Sequence, residues 1–210
     1  DNKLVIAGIT DAAGKPLKWT VGAHDEYKGA PLTVEIGSAR RIVITYQSAP
    51  GASALGWLSP ALTAGKVKPY LYSQGQSINN RSWIPTQDSP GIRQSWSARI
   101  TVPSDLVAVM SAERLTPAGE PAAPGWHSYR FRMDHNVPPY LIALAVGDLK
   151  FQPLDARTGV YTEPSMLGRD AAELSDTGKM VDAAEALYGK YRWGRYDVLV
   201  LPPSFPFGGM

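Results

Sequence analysis

The first three quarters of the chain alternate apolar and polar residues with the period of two that marks half-buried strands. Leu32, Val34 and Ile36 alternate with Thr33 and Glu35. Trp96, Ala98, Ile100 and Val102 alternate with Ser97, Arg99 and Thr101, and Pro103 stops the run. His127, Tyr129, Phe131 and Met133 alternate with Ser128, Arg130 and Arg132. Shorter runs at Leu4–Ile6, Tyr70–Ser73 and Val107–Met110 read as further strands, and the β-branched run Arg41–Tyr46 follows Ile36 at hairpin distance. Leu141–Val146 is apolar on both faces, which predicts a central strand. Turn signals such as Ala12–Pro16 and Thr116–Gly119 separate the runs. The pattern predicts an antiparallel β domain over residues 1–155.

After Pro164 the period changes. Leu167, Ala171, Leu174, Gly178, Val181, Ala184 and Tyr188 follow one another at steps of three or four, the mark of one face of a helix or of two consecutive helices. Ser175 or Asp176 can cap the second. Tyr196–Leu201 reads as a strand ended by Pro202 and Pro203, and a Pro/Gly-rich segment runs to Met210. One strand and one or two helices cannot close a core, so residues 156–210 are expected to open a second, truncated domain.

Composition narrows the function classes. A 44% hydrophobic content with 20 glycines and 18 prolines suits a folded, turn-rich protein. No window approaches the ~18 consecutive apolar residues of a membrane helix, so no membrane insertion is expected. The net charge is only +2 and the basic residues are scattered, which argues against nucleic acid as a partner. The absence of cysteine excludes disulfides, thiolate catalysis and Cys-ligated zinc. It fits an envelope protein without forbidding a cytoplasmic one, so the sequence does not decide the compartment, with a periplasmic or cell-envelope location slightly favoured over a cytoplasmic one. The chain starts at Asp1 without a basic-then-apolar leader, so a targeting peptide is expected to be already removed or never included.

Candidate chemistry is sparse. The histidines are His24, His127 and His135; none precedes a Glu, and no pair has the four-residue spacing that sets two imidazoles on one helix face. They are expected to be surface or core residues, and no metal site is expected. No Gly-x-Ser-x-Gly elbow and no phosphate-cradling glycine loop occurs. No catalytic residue is therefore expected in this chain.

Two loops nevertheless suit a ligand. In Tyr72–Ser77, the side-chain amides of Gln74 and Gln76 flank Gly75 and can offer uncharged donors and acceptors to peptide groups. In Phe205–Met210, the pair Gly208 and Gly209 lets one backbone come close to another, so that a peptide can add along the edge. A solvated glutamine loop and an ordinary turn are the plainer readings of each. Asp88, between prolines and near Arg81, reads as a structural ion pair or turn cap. Trp19, Trp96 and Trp126 lie in or beside strand candidates, so core packing is their default.

Taken in order, Pro69–Gln76, Pro85–Pro90, Val102–Ser111, Tyr140–Gly147 and Trp193–Met210 resemble the leukotriene hydrolase/aminopeptidase branch of the gluzincin zinc peptidases. The Gln-x-Gln loop and the Gly-Gly-Met sequence in one chain are the most specific of these features. The resemblance implies a mainly β fold: a saddle-like antiparallel β domain, its first strands missing, followed by the truncated α+β start of a thermolysin-like catalytic domain. It implies a parent enzyme, a zinc metallo-aminopeptidase that removes N-terminal residues from peptides. Zn2+ belongs to the parent and not to this fragment, whose partners are a peptide substrate and the remainder of its own catalytic domain. The fragment alone is expected to be inactive. Epoxide hydrolysis also occurs in the family, with determinants outside this chain.

By position, the resemblance assigns Gln74, Gln76, Phe207, Gly208, Gly209 and Met210 to the substrate cleft, with Gln76 beside the free amino end. Phe207 stands where some relatives have Tyr, which leaves the first-residue preference open. Gly75 replaces a Cys found in some relatives, a change expected to have no consequence. The rival expectation is a non-catalytic β-sandwich binding or scaffold protein related to the family.

Overall fold

The two longest alternating runs become the two longest strands, because each buries one face and leaves the other wet. The computed structural model describes residues 4–206. It divides into two compact units: residues 1–56, 74–93 and 138–142 form the first, and residues 57–73, 94–137 and 143–210 the second.

The first unit holds β1 (Val5–Asp11), β2 (Trp19–Val21), β3 (Leu32–Val34) and β4 (Ile42–Gln47). The hairpin expected between the run at 32–36 and the run at 41–46 does not form. β3 pairs antiparallel with β2, closed by the Gly22 N–H donating to the Pro31 carbonyl at 2.9 Å. β4 instead pairs antiparallel with β1, whose register shifts at Gly8. Spacing along the chain thus misled, because the early strand at Trp19–Val21 carries too few residues to announce itself.

β5 (Leu55–Leu58) leads into the second unit, which continues with β6 (Tyr70–Ser73), β7 (Gln94–Pro103), β8 (Val107–Met110) and β9 (Glu113–Arg114). β10 (Glu120–Pro121), β11 (Trp126–Val137) and β12 (Leu144–Gly147) follow. β13 (Lys150–Pro153) and β14 (Thr158–Thr162) precede the helices α1 (Leu167–Glu173) and α2 (Thr177–Tyr188), and β15 (Tyr196–Leu199) comes last. The architecture is mainly β with antiparallel sheets.

β7 and β11 pair from Trp126↔Pro103 to Met133↔Trp96, which sets Val102, Ile100 and Ala98 opposite His127, Tyr129 and Phe131. Trp126 itself is exposed, against the core expectation, because it stands at the tip where β11 begins. A second sheet runs β5-β6-β12-β8. β12 lies inside it and every one of its residues is buried, as the two-sided apolar run predicts. The strand starts later than the run, since Pro138 and Pro139 fix the backbone and turn residues 139–141 into a 3-10 helix. A third sheet, β13-β14-β15, joins β14 antiparallel to β13 and parallel to β15. Its first strand precedes residue 155 and its second follows it.

Two helices occupy the predicted helical stretch. Ala171 and Val181 are buried and Leu174 and Gly178 partly so, but Ala184 and Tyr188, expected on the same face, are exposed. Asp176 holds the position before α2 without bonding the helix amides; it pairs with Lys179 at 2.8 Å instead. Arg157 ties the helix down through Glu185 at 3.0 Å and Asp182 at 2.6 Å.

The core of the second unit gathers Tyr70, Tyr72, Ala145 and Leu149, with Leu58, Val107, Val109, Leu199, Leu201 and Phe205 packed around them. Among the described residues the buried Tyr70 hydroxyl has no hydrogen-bond partner. Burial first, and the negative charge of Glu163 second, push its ionisation well above the ordinary tyrosine range. The folded chain therefore keeps this proton at pH values where the unfolded chain has lost it, so stability falls as pH rises past about 10. Tyr70→Phe removes that penalty: between pH 10 and 11 the wild type loses about 1 kcal/mol more than the variant, measured by chemical denaturation at each pH.

Candidate functional site

In the first unit, the loop after β6 carries the two glutamines, and its own hydrogen bonds hold its shape. The Gln74 N–H donates to the Ala54 carbonyl at 2.7 Å, and the Asn79 N–H to the Gly75 carbonyl at 2.8 Å. The Gln74 side-chain oxygen accepts the Gln76 N–H at 2.9 Å, and the Asn79 side-chain amide donates to the Gln76 carbonyl at 3.1 Å. The Gln76–Ser77 peptide bond is cis. Gln74 is half-buried and Gln76 is exposed. The sequence suggests two equivalent amides, but the loop separates their roles. Gln74 spends its acceptor inside the loop, whereas among the described residues the Gln76 side-chain amide has no partner.

The residue that organises this loop was not singled out from the sequence. Asn80 is 0% exposed. Its side-chain NH2 donates to the Pro139 carbonyl at 2.5 Å and the Ile142 carbonyl at 3.0 Å, and its oxygen accepts the Trp83 indole N–H at 2.8 Å. Both donors of this small side chain are thus spent on fixing the loop against the 138–142 segment, and its oxygen holds Trp83. Adjacent asparagines beside a glutamine loop look solvated in a sequence; only burial distinguishes Asn80 from Asn79.

Gly75 is the second such residue. A Cβ there would lie 2.6 Å from Asn80 Cγ, and the Asn80 side chain is fixed by three hydrogen bonds. The expectation that Gly75 is a neutral replacement is therefore corrected for this chain: the close approach of loop backbone to Asn80 requires glycine. Gly75→Ala is expected to destabilise the fold by about 1–3 kcal/mol, read as a shift in the urea midpoint at unchanged slope.

Asp88 takes the structural role expected of it. Its Oδ2 accepts the Arg81 backbone N–H at 2.8 Å and faces Arg81 Nε at 3.4 Å, and the Arg81 guanidinium also donates to the carbonyls of Asp88 and of Lys28 at the tip of the β2–β3 hairpin. Further on, Ser82 donates no charge but accepts the Ala54 N–H at 3.0 Å, so both ends of the glutamine loop are tied to one strand entrance.

In the second unit, the segment leading to the predicted glycine ledge is docked by two contacts and shaped by one internal turn. The Ser204 hydroxyl donates to the Leu62 carbonyl at 2.7 Å, and the Phe205 N–H donates to the Pro202 carbonyl at 2.9 Å. The Phe205 ring meets the Tyr72 ring edge-on at 4.9 Å. Leu62 in turn belongs to a turn that Glu163 clamps: this buried carboxylate accepts the Ala64 N–H at 2.5 Å and the Gly65 N–H at 3.4 Å. Phe207, Gly208, Gly209 and Met210 lie outside the described residues.

The histidines do not gather. His127 is half-buried opposite Val102, and His135 is exposed with its ring 6.5 Å from that of Trp193. Among the described residues, no group of three or more His, Asp or Glu side chains can hold a metal ion.

A β domain that carries a buttressed amide loop and leads into an α+β segment defines a class, and the comparisons with known proteins fix it. Residues 32–141 match the peptidase M1 N-terminal domain, and the chain belongs to that family. It is 40% identical over 203 residues to leukotriene A-4 hydrolase of Xenopus laevis, with 94% of this chain and 33% of the relative covered. It is 41% identical over 210 residues to aminopeptidase B of Mus musculus, covering 97% of this chain and 31% of the relative. Leukotriene A4 hydrolase from Saccharomyces cerevisiae superposes with a TM-score of 0.87 at 31% identity, over 99% of this chain and 32% of that one. An M1 zinc metallopeptidase from Deinococcus radiodurans shares the fold, with a TM-score of 0.71 at 20% identity over 95% of this chain and 46% of that one. The chain spans about a third of the length of the curated relatives it matches.

Proposed function

We propose that the protein to which this chain belongs is a zinc-dependent aminopeptidase, and that the chain supplies the wall of its cleft that grips the free amino end of a peptide. The observation that carries this reading is the Gln76 amide: exposed, without a partner among the described residues, and held on a loop buttressed by Asn80. An uncharged amide fixed in this way can accept from a terminal amine and donate to a peptide carbonyl, and it loses little entropy when it does so. The same reading assigns Phe207, Gly208, Gly209 and Met210 to the substrate, since paired glycines let an extended peptide backbone come close.

In this reading residues 1–155 form the N-terminal β domain and residues 156–210 open the catalytic domain. Zinc is a cofactor of the whole protein, held by residues outside this chain, and no chemical step is assigned to residues 1–210.

The test is hydrolysis of an aminoacyl-nitroanilide. The full-length protein cleaves it and loses the activity to a chelator, while residues 1–210 alone do not cleave it. Chelator-sensitive hydrolysis by the 210-residue chain refutes the division of labour. A full-length protein that binds peptides without cleaving them is a non-catalytic scaffold instead.

A further inference from the structure

Glu163 follows β14 directly and is only 4% exposed, yet among the described residues no cation pairs with it. Its carboxylate instead takes two successive amides of the turn at 60–66, from Ala64 at 2.5 Å and Gly65 at 3.4 Å. Burying an unpaired carboxylate costs more than burying a neutral acceptor such as glutamine, which can also bond an amide. Departures of this kind from the cheapest solution are found where placement matters to function.

The turn carries a second departure. Lys66 has a φ of 55°, in the left-handed region that a lysine rarely enters. Thr63, 2% exposed, fixes it there: its hydroxyl accepts the Lys66 N–H at 3.0 Å and donates to the Pro60 carbonyl at 2.9 Å. Strained backbone persists only where its surroundings over-determine it, and it gathers at working sites.

What the turn holds is the stretch Pro202–Pro206. The Leu62 carbonyl, inside the turn, accepts the Ser204 hydroxyl at 2.7 Å. Leu201 and Phe205, on either side of Ser204, pack on the core of Tyr70 and Tyr72. Apolar packing is non-directional, so it keeps the stretch down without fixing its rotation; a hydrogen bond fixes that too. Glu163, the turn and Ser204 all belong to the second unit, and Pro206 is followed at once by residues 207–210.

We infer that Glu163 is a positioning residue of the proposed peptidase: through the 60–66 turn and Ser204 it sets the stretch that leads into the residues assigned to the peptide backbone. The inference rests on that reading of the site, in which Glu163 itself touches no substrate.

The test uses the full-length protein as wild type, Glu163→Gln, Ser204→Ala, Ser204→Thr and the double variant Glu163→Gln/Ser204→Ala. Prolines at 202, 203 and 206 leave Ser204 and Phe205 as the only amides of the stretch, and their deuterium exchange is followed by mass spectrometry. The expected result is exchange there about tenfold faster in Glu163→Gln, although the carboxylate it replaces bonds the turn and not the stretch. With it, kcat/KM falls about tenfold for a tripeptide and less than about threefold for an aminoacyl-nitroanilide, which has less backbone to lay along those residues. Ser204→Ala repeats the pattern and Ser204→Thr keeps the wild-type values. The double variant loses no more than the worse single one, because both act along one path. Ser204→Ala removes only an exposed hydroxyl, so it carries the same test should Glu163→Gln fail to fold. Unchanged exchange at Ser204 and Phe205 overturns the inference, and so does an equal loss on both substrates, the sign of general loosening. A wild type that cleaves neither substrate sinks the peptidase reading and this inference with it, whereas an active wild type with equally active variants sinks the inference alone.

Discussion

Replacing Asn80 with alanine lowers the melting temperature of the chain by roughly 10 °C. The substitution strips partners from the Pro139 and Ile142 carbonyls and the Trp83 indole N–H in surroundings where water does not reach Asn80 itself. Each orphaned buried group costs about 1–3 kcal/mol, and since the three share one site the total is about 3–5 kcal/mol. Asn80→Asp fails in a different way, because a carboxylate offers no donor to either carbonyl and meets both with repulsion. Asn79→Ala is the control. Asn79 is only partly buried and its side chain donates a single bond, to Gln76, so its loss costs ~1 kcal/mol or less. Thermal melting by circular dichroism separates the three variants.

The second large effect falls on activity rather than stability. In the full-length protein, Gln76→Ala lowers kcat/KM for peptides with a free amino terminus by about ten- to hundredfold, the equivalent of about 1–3 kcal/mol of transition-state binding. The melting temperature stays within a degree or two, because the Gln76 side chain is exposed and makes no bond to the described residues. Gln74→Ala behaves differently. It loses the acceptor for the Gln76 N–H and so loosens the loop, affecting stability and activity together. The ratio of the two effects distinguishes an amide that touches substrate from one that positions it.

The fold was legible where one face of an element meets the core and the other meets water. β7 appears in the sequence almost residue for residue, because alternation and burial coincide in it, whereas β11 runs on past the alternating stretch to Val137 and buries Ser128 beside Tyr129. β14 was not legible: Thr158 and Thr162 are buried with Gly159 between them, and this composition reads as loop until two neighbouring strands enclose it. β13 was missed for the opposite reason, since all four of its residues are exposed and nothing in them alternates. The pairing of β4 with β1 rather than β3 escaped because pairing is decided by long-range geometry and not by spacing in the chain.

The site was legible in its exposed parts only. A glutamine that meets a ligand stands out by its chemistry, and so do paired glycines. Asn80 and Gly75 do their work through burial and close approach, which no single sequence displays.

The central proposal is that the Gln76 amide and the Gly208–Gly209 backbone bind the same peptide. A crystal structure of the full-length protein with a non-hydrolysable tripeptide tests it most directly. The account predicts the Gln76 side-chain oxygen at about 3 Å from the peptide's terminal nitrogen, with the peptide backbone hydrogen-bonded along Gly208 and Gly209. A peptide bound far from Gln76, or Gln76 and Gly209 facing separate surfaces, contradicts it.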